Sequence, residues 1–391
     1  VYKRQVVFWG QWAMAFLEGL VGGPHPMQSW IAASRISARE LGSPVLDLLV
    51  DELEVEYLFF SGEWDSALAL GTRAIELARS LHQDALLVRL LIWTSSVYIG
   101  RGDLEGGERL VAEAEGLVGI EGGRPTGHTA IHVLVPALIG RATLLLANDR
   151  MEEALEVARE GLALAEASGY VIWVLHRLLP VIGEVYVYQR DLDLIKETTD
   201  RMRYEGDRMD HRVILVYAQA GEALLTWYSG DLEAGARTLE GAAEAMEELG
   251  IPYAAARLRR QHAGRLAELG QREKALEALR GCHEVFARLG AGPELQATRG
   301  MYEELEKRPP NEAPRGADPR GILSAREWQV AEAVAQRKSN KQIAAALSIG
   351  QRTVERHCHN IYKKLDIDGG PDRKRTILGD WVREGRIRTL D

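Results

Sequence analysis

Cysteine is nearly absent. Two occur in 391 residues, Cys282 and Cys358, and they stand 76 positions apart. That excludes a disulfide framework and the paired spacing of a zinc site, and it fits a reducing cytosol. Long uncharged apolar runs are missing as well. The two most apolar stretches, 130–146 and 171–188, each contain a proline and carry His with Arg or Glu. They read as buried helices rather than membrane spans, so no membrane partner is expected. The first residues hold no signal-peptide pattern, and the chain opens on Val1 rather than Met, so a truncated start is expected. The motifs of catalysis are missing too. There is no GxxxxGK[ST] phosphate loop, no GxGxxG after a strand, no GxSxG elbow and no HExxH pair. His82, His128, His132, His176, His211, His262 and His283 are scattered without ligand spacing and read as surface or satisfied core groups. Neither an enzyme nor a cofactor-binding protein is expected.

What is present is a strongly uneven distribution of charge. The net charge is −9. Residues 321–391 hold 14 Lys/Arg against 9 Asp/Glu, leaving 34 against 48 in residues 1–320. A small basic end on a large acidic body implies that only the end meets a polyanion.

The acidic body repeats itself. A break followed by a helix start recurs as SGEWDSAL, RGDLEGGE, NDRMEEAL, QRDLDLIK, SGDLEAGA and LGQREKAL. Alignment puts Gly62, Gly102, Asp149, Arg190, Gly230 and Gly270 at one position, at intervals of 40, 47, 41, 40 and 40 residues. Five residues on stand Ala67, Gly107, Ala154, Ile195, Gly235 and Ala275, small in five of six units, where a neighbouring helix can approach closely. A fixed period of this size predicts a helical solenoid of stacked helix pairs. Apolar spacing such as Ala67, Leu70, Ala74, Ile75 and Leu77 gives each first helix one buried face. Trp93, Trp173 and Trp227 lie in the apolar second helices and read as core. The pattern resembles tetratricopeptide repeats, with a longer period than their 34 residues and without their full signature. The expected fold is all-α, with a tetratricopeptide-like domain over 1–305.

Residues 306–321 read EKRPPNEAPRGADPRG. Four prolines in sixteen residues with no apolar period predict a linker. Three short helical patterns follow within 322–391. Ser324 with Glu327, and Ser339 with Gln342, have capping-box spacing and predict two helix starts. A helix from about Gln351 to Leu365 follows. At 100° per residue, Val354, Cys358, Ile361 and Leu365 fall in a core stripe roughly 60° wide. Arg352, Arg356, His359 and Lys363 lie opposite, with Glu355 and Asn360 at the edges. A cationic, hydrogen-bonding face opposite an apolar seam fits the major groove of DNA in a helix-turn-helix arrangement. An ordinary solvated helix face would have the same composition.

The elements LSAREWQV, SNKQIAAAL and TVERHCHNIYKKL resemble the LuxR-type DNA-binding domain of quorum regulators, NarL-like response regulators and MalT-like activators. The resemblance covers about 65 residues, one sixth of the chain. Arg337 and Ser348 stand where that family has glycine, and Gly350 replaces a helix N-cap Ser or Thr. The resemblance implies that Glu355, Arg356 and His359 reach base edges. It places Asn340, Lys341, Thr353, Lys363 and Lys364 at phosphates, which position a domain without specifying sequence. It also implies a fourth helix from about Arg373 to Glu384 that makes a dimer contact; Trp381 either joins that contact or packs in its own domain. With the repeats, the chain resembles the carboxy-terminal part of MalT-like large regulators, whose upstream ATPase motif is not in this sequence.

The expectation is therefore a cytoplasmic bacterial transcription regulator. It would bind double-stranded promoter DNA as a homodimer on inverted half-sites, with a contact to RNA polymerase allowed for. An effector or a protein partner on the concave face of the repeats would control it. The alternative is a repeat scaffold acting mainly by protein docking.

Overall fold

The computed structural model describes residues 2–121, 124–125, 130–306, 323, 325–347, 351–365 and 367–387. It divides into two compact units, Val1–Arg308 and Pro309–Asp391. Most of the proline-rich stretch and the Ser324 cap lie outside the described residues. No described helix is long and apolar enough to cross a membrane.

The first unit is a helical repeat. It opens with α1 (Tyr2–Gly22), α2 (Pro24–Leu41) and α3 (Pro44–Phe60). Helix pairs follow: α4 (Trp64–Ser80) with α5 (Asp84–Arg101), α6 (Leu104–Val118) with α7 (Ile131–Ala147), and α8 (Met151–Ala167) with α9 (Leu175–Gln189). Then come α10 (Leu192–Met209) with α11 (Arg212–Tyr228), α12 (Leu232–Glu248) with α13 (Pro252–Glu268), and α14 (Arg272–Leu289) with α15 (Gly292–Glu306). A short antiparallel hairpin, β1 (Ile120–Glu121) with β2 (Arg124–Pro125), is inserted between α6 and α7. It accounts for the one long interval in the repeat.

Local chemistry sets the period. All six aligned break residues are left-handed: Gly62 (φ 81°), Gly102 (83°), Asp149 (57°), Arg190 (56°), Gly230 (103°) and Gly270 (75°). Each reverses the chain between a second helix and the next first helix. The next residue starts the new helix. Asp103, Asp191 and Asp231 accept hydrogen bonds from the backbone N–H of Gly106, Leu194 and Ala234 at 2.8, 3.1 and 3.0 Å. The recurring small residue sits where the first helix crosses its predecessor. A Cβ added to Gly235 would stand 2.8 Å from Trp227 N and 2.9 Å from Ala223 O, both backbone atoms of α11. Ile195 is the large exception and is accommodated fully buried.

The helix path also returns on itself. A Cβ at Gly62 would lie 2.9 Å from Pro252, and one at Gly102 would lie 2.9 Å from Pro293. Arg101 Nε donates to Leu289 O at 3.1 Å. The second helices are thereby gathered around an interior lined by both apolar and charged side chains.

The second unit holds α16 (Ala325–Ala335), α17 (Asn340–Leu347), α18 (Gln351–Lys364) and α19 (Pro371–Ile387). Trp328, Val330, Val334, Ile343, Val354, Cys358, Ile361, Leu378 and Val382 form one core. The fourth helix starts two residues before its expected position because Pro371 presets a first helical turn. Trp381 is half-buried against Trp328, with ring centroids 6.0 Å apart in an edge-on geometry. It therefore packs within its own domain.

Candidate nucleic-acid interface

Helix α17 begins as its sequence requires. Ser339 N donates to Gln342 Oε1 at 2.9 Å, and Gln342 N donates to Ser339 Oγ at 3.3 Å. This reciprocal capping satisfies donors that would otherwise be orphaned at the helix start. Just upstream, α16 ends on Arg337 in the left-handed region, φ 61°. Lys338 N donates to Ala333 O at 3.1 Å and Arg337 N to Val334 O at 2.8 Å, the two bonds of a Schellman end. The left-handed residue there is an arginine, so the turn is made at a steric cost.

Helix α18 turns its apolar seam inward. Val354 and Ile361 are fully buried and Cys358 is 5% exposed. Burial pushes the Cys358 thiol above its ordinary range, so it serves as a packing group. His357 is buried as well. The exposed residues Gln351, Glu355, His359 and Lys363 recur every fourth position and make one continuous row along the helix. Gln351 Nε2 donates to Glu355 Oε1 at 3.1 Å within that row.

The candidate contacts therefore separate into groups. Glu355, His359 and Lys363 on α18 and Lys341 on α17 are exposed. Thr353 is half-buried on α18. Arg356 is half-buried, although it falls opposite the seam at 100° per residue. Arg352 belongs to the first turn of α18, and its side chain lies outside the described residues, as does the 348–350 turn.

Two of the residues expected at phosphates are engaged within the domain. One is Lys364. Its Nζ lies 2.8 Å from Glu327 Oε2, with the two side chains 17% and 4% exposed, so it binds α18 to α16. Asn340 is half-buried, and its Oδ1 accepts from Arg375 Nη1 at 2.8 Å. Its carbonyl is committed inside the domain, while its amide nitrogen keeps donor capacity. Arg375 was not singled out from the sequence. It also donates to Lys338 O, tying α19 to the start of α17. No local signal marks that role, since the partners are 35 and 37 residues away. Among the described residues no cluster of His, Cys, Asp and Glu could hold a metal ion.

Residues 321–372 match the family model described as bacterial regulatory proteins, luxR family. Over 56 residues the chain is 41% identical to the uncharacterized response regulatory protein YgeK of Escherichia coli (strain K12), covering 14% of this chain and 38% of that one. Over 50 residues it is 44% identical to the nitrate/nitrite response regulator protein NarP of the same strain, covering 13% and 23%. The chain thus spans well under half the length of these relatives. Among solved structures, BtubC (BKLC) from P. vanneervenii aligns with a TM-score of 0.37 at 14% identity, over 64% of this chain and 94% of that one. The matched stretch, the capped α17 and the amphipathic α18 make the second unit of this chain a LuxR-family helix-turn-helix domain.

Proposed function

We propose that the chain is a sequence-specific transcription regulator. Helix α18 enters the major groove of promoter DNA, with Glu355, Arg356 and His359 toward base edges. Arginine pairs with guanine and glutamate accepts from cytosine. Lys341, Thr353 and Lys363, with Arg352 at the head of the helix, neutralise or hydrogen-bond phosphates. Two copies on inverted half-sites form the bound species, and the helical-repeat unit receives an effector or protein partner that controls binding.

The observation that carries this reading is the continuous exposed row on α18, backed by a seam that is fully buried. The match of residues 321–372 to the luxR family model supports reading that row as facing DNA rather than as an ordinary solvated face. The basic balance of residues 321–391 on an otherwise acidic chain supports the same assignment.

The test is selection of duplexes from a random-sequence pool by the intact chain, followed by gel shift at graded salt. Enrichment of an inverted-repeat consensus is expected. Affinity should fall steeply with salt, since several phosphates are neutralised. Failure to enrich any sequence at low salt would leave the chain as a protein-docking scaffold.

A further inference from the structure

The interior of the helical repeat holds a buried cation that its own carboxylates leave uncompensated. Arg177 stands on α9. Its guanidinium lies over the Trp93 ring, 4.3 Å from the centroid, and 5.9 Å from the centroids of Phe59 and Phe60. Nη2 donates to Ser96 Oγ at 3.2 Å, and Nη1 has no hydrogen-bond partner. Among the described residues no ion pair reaches it.

Its neighbours differ. Arg89 pairs with Glu52 at 3.1 Å, and Arg257 pairs with Glu184 at 2.7 Å and Glu294 at 2.9 Å. The carboxyl that most favours the charge of Arg177 is Glu56. Burial, and then the charge of Glu52, push Glu56 up to about 8, so it is mostly protonated at neutral pH. Burial lowers Arg177 only to about 10, so it keeps its charge. An unpaired charge in such a place is costly, and the cost is relieved by an anion.

Further polar atoms beside it lack partners. His176 is 7% exposed and its Nδ1 makes no hydrogen bond; His211 is fully buried and neither ring nitrogen makes one. The two rings lie 5.3 Å apart. Arg177 and His176 both line a chamber of about 350 Å³, with Phe59, Phe60, Ser96 and Tyr253 in its wall. That volume suits a small molecule. One uncompensated cation matches a single negative charge. A phosphate monoester, carrying nearly two, would bring a charge that nothing there offsets.

We propose that this chamber binds a small organic carboxylate with a flat apolar body. The carboxylate lies beside the Arg177 guanidinium and the His176 ring, and the body lies against Phe59, Phe60 and Tyr253. As an effector class this rests on the regulatory reading above; as a binding site it stands without it.

The experiment is thermal unfolding of the intact chain with saturating benzoate, with benzamide as its neutral counterpart and with inorganic phosphate. Benzoate should raise Tm by about 2–5 °C, and benzamide and phosphate should not. Arg177→Met should abolish the shift in protein whose circular dichroism is unchanged, and Arg177→Lys, which keeps a point charge, should retain part of it. No benzoate shift in the unmodified chain overturns the site, as does an equal shift with benzamide. An equal shift with phosphate overturns the carboxylate preference. Gel shift on a selected duplex then reads regulation, with a change in affinity of at least about 5-fold expected on adding benzoate. A Tm rise with unchanged DNA affinity keeps the site and overturns its regulatory role.

Discussion

Lys364 Nζ lies 2.8 Å from Glu327 Oε2, and the carboxylate is only 4% exposed. One turn of α18 therefore carries two lysines with different work. Lys363 is exposed and Lys364 joins α18 to α16. Removing one partner of a buried pair leaves the other charge stranded, which costs more than the pair itself contributes. Lys364→Met is expected to destabilise the second unit by about 2–4 kcal/mol, read as a lower urea midpoint. Lys363→Met is expected to leave that midpoint within about 0.5 kcal/mol while weakening DNA binding and flattening its salt slope. Interchanged results for the two lysines would overturn the assignment.

Arg356 is half-buried on α18, opposite the seam in projection. If it reads a base, Arg356→Ala should weaken binding to the selected site by about 1–3 kcal/mol and relax the preference at one position. Equal losses on selected and random duplexes would move it to the phosphate group.

Arg337 holds φ 61° at the end of α16. A side chain there meets its own backbone, and glycine does not. Arg337→Gly is expected to stabilise the second unit by about 1 kcal/mol, measured by the denaturant midpoint. An unchanged or lower midpoint would show that the arginine side chain makes contacts that offset its backbone cost.

The parts of the molecule legible in the sequence are those fixed by local chemistry. The six aligned breaks all have the left-handed backbone that reverses a helix; the four glycines and Asp149 tolerate it, and Arg190 adopts it at a steric cost. The capping of α17 and the buried seam of α18 follow from spacing alone. The phosphate role of Lys364 comes from the family resemblance, which carries a position on α18 and not the contacts of its side chain. A lysine stem bends, and this one reaches a carboxylate 37 residues away. The strap made by Arg375, the approach of Gly62 to Pro252 and the chamber around Arg177 are long-range meetings. Nothing in the neighbouring residues encodes them. Arg177 itself sits in an apolar stretch that the sequence presents as ordinary core.

Gly235 and Gly281 are both helical glycines with opposite surroundings. A Cβ on Gly235 would press on α11 backbone at 2.8 and 2.9 Å, whereas one on Gly281 meets nothing within 4 Å. Backbone cannot rotate away, so Gly235→Ala is expected to destabilise the repeat by about 1–3 kcal/mol. Gly281→Ala, in the middle of α14, should stabilise it by about 0.5–1 kcal/mol. Thermal unfolding of the two variants side by side checks both signs, and a neutral Gly235→Ala would mean that α12 can slide on α11.

Glu56 gives the repeat a pH dependence whose sign is opposite to that of its buried histidines. Burial, and then the charge of Glu52, raise its carboxyl from the ordinary 4.5 to about 8 in the folded chain. Between those values the folded state holds a proton that the unfolded state has released. Stability contributed by this group is therefore full below about 4.5 and is lost as pH rises toward 8. Burial lowers His211 to about 4, so there the unfolded state binds the extra proton and stability is lost as pH falls from 6.5 to 4. The two effects overlap in the unmodified chain, and Glu56→Gln separates them. The amide has the shape of the protonated acid and does not titrate. Its stability should equal that of the unmodified chain near pH 4.5 and exceed it by about 1–4 kcal/mol at pH 9. Urea midpoints of the intact chain at both pH values provide the measurement. A constant difference across that range would place the Glu56 carboxyl in its ordinary ionised state, and Arg177 would then have a counter-charge of its own.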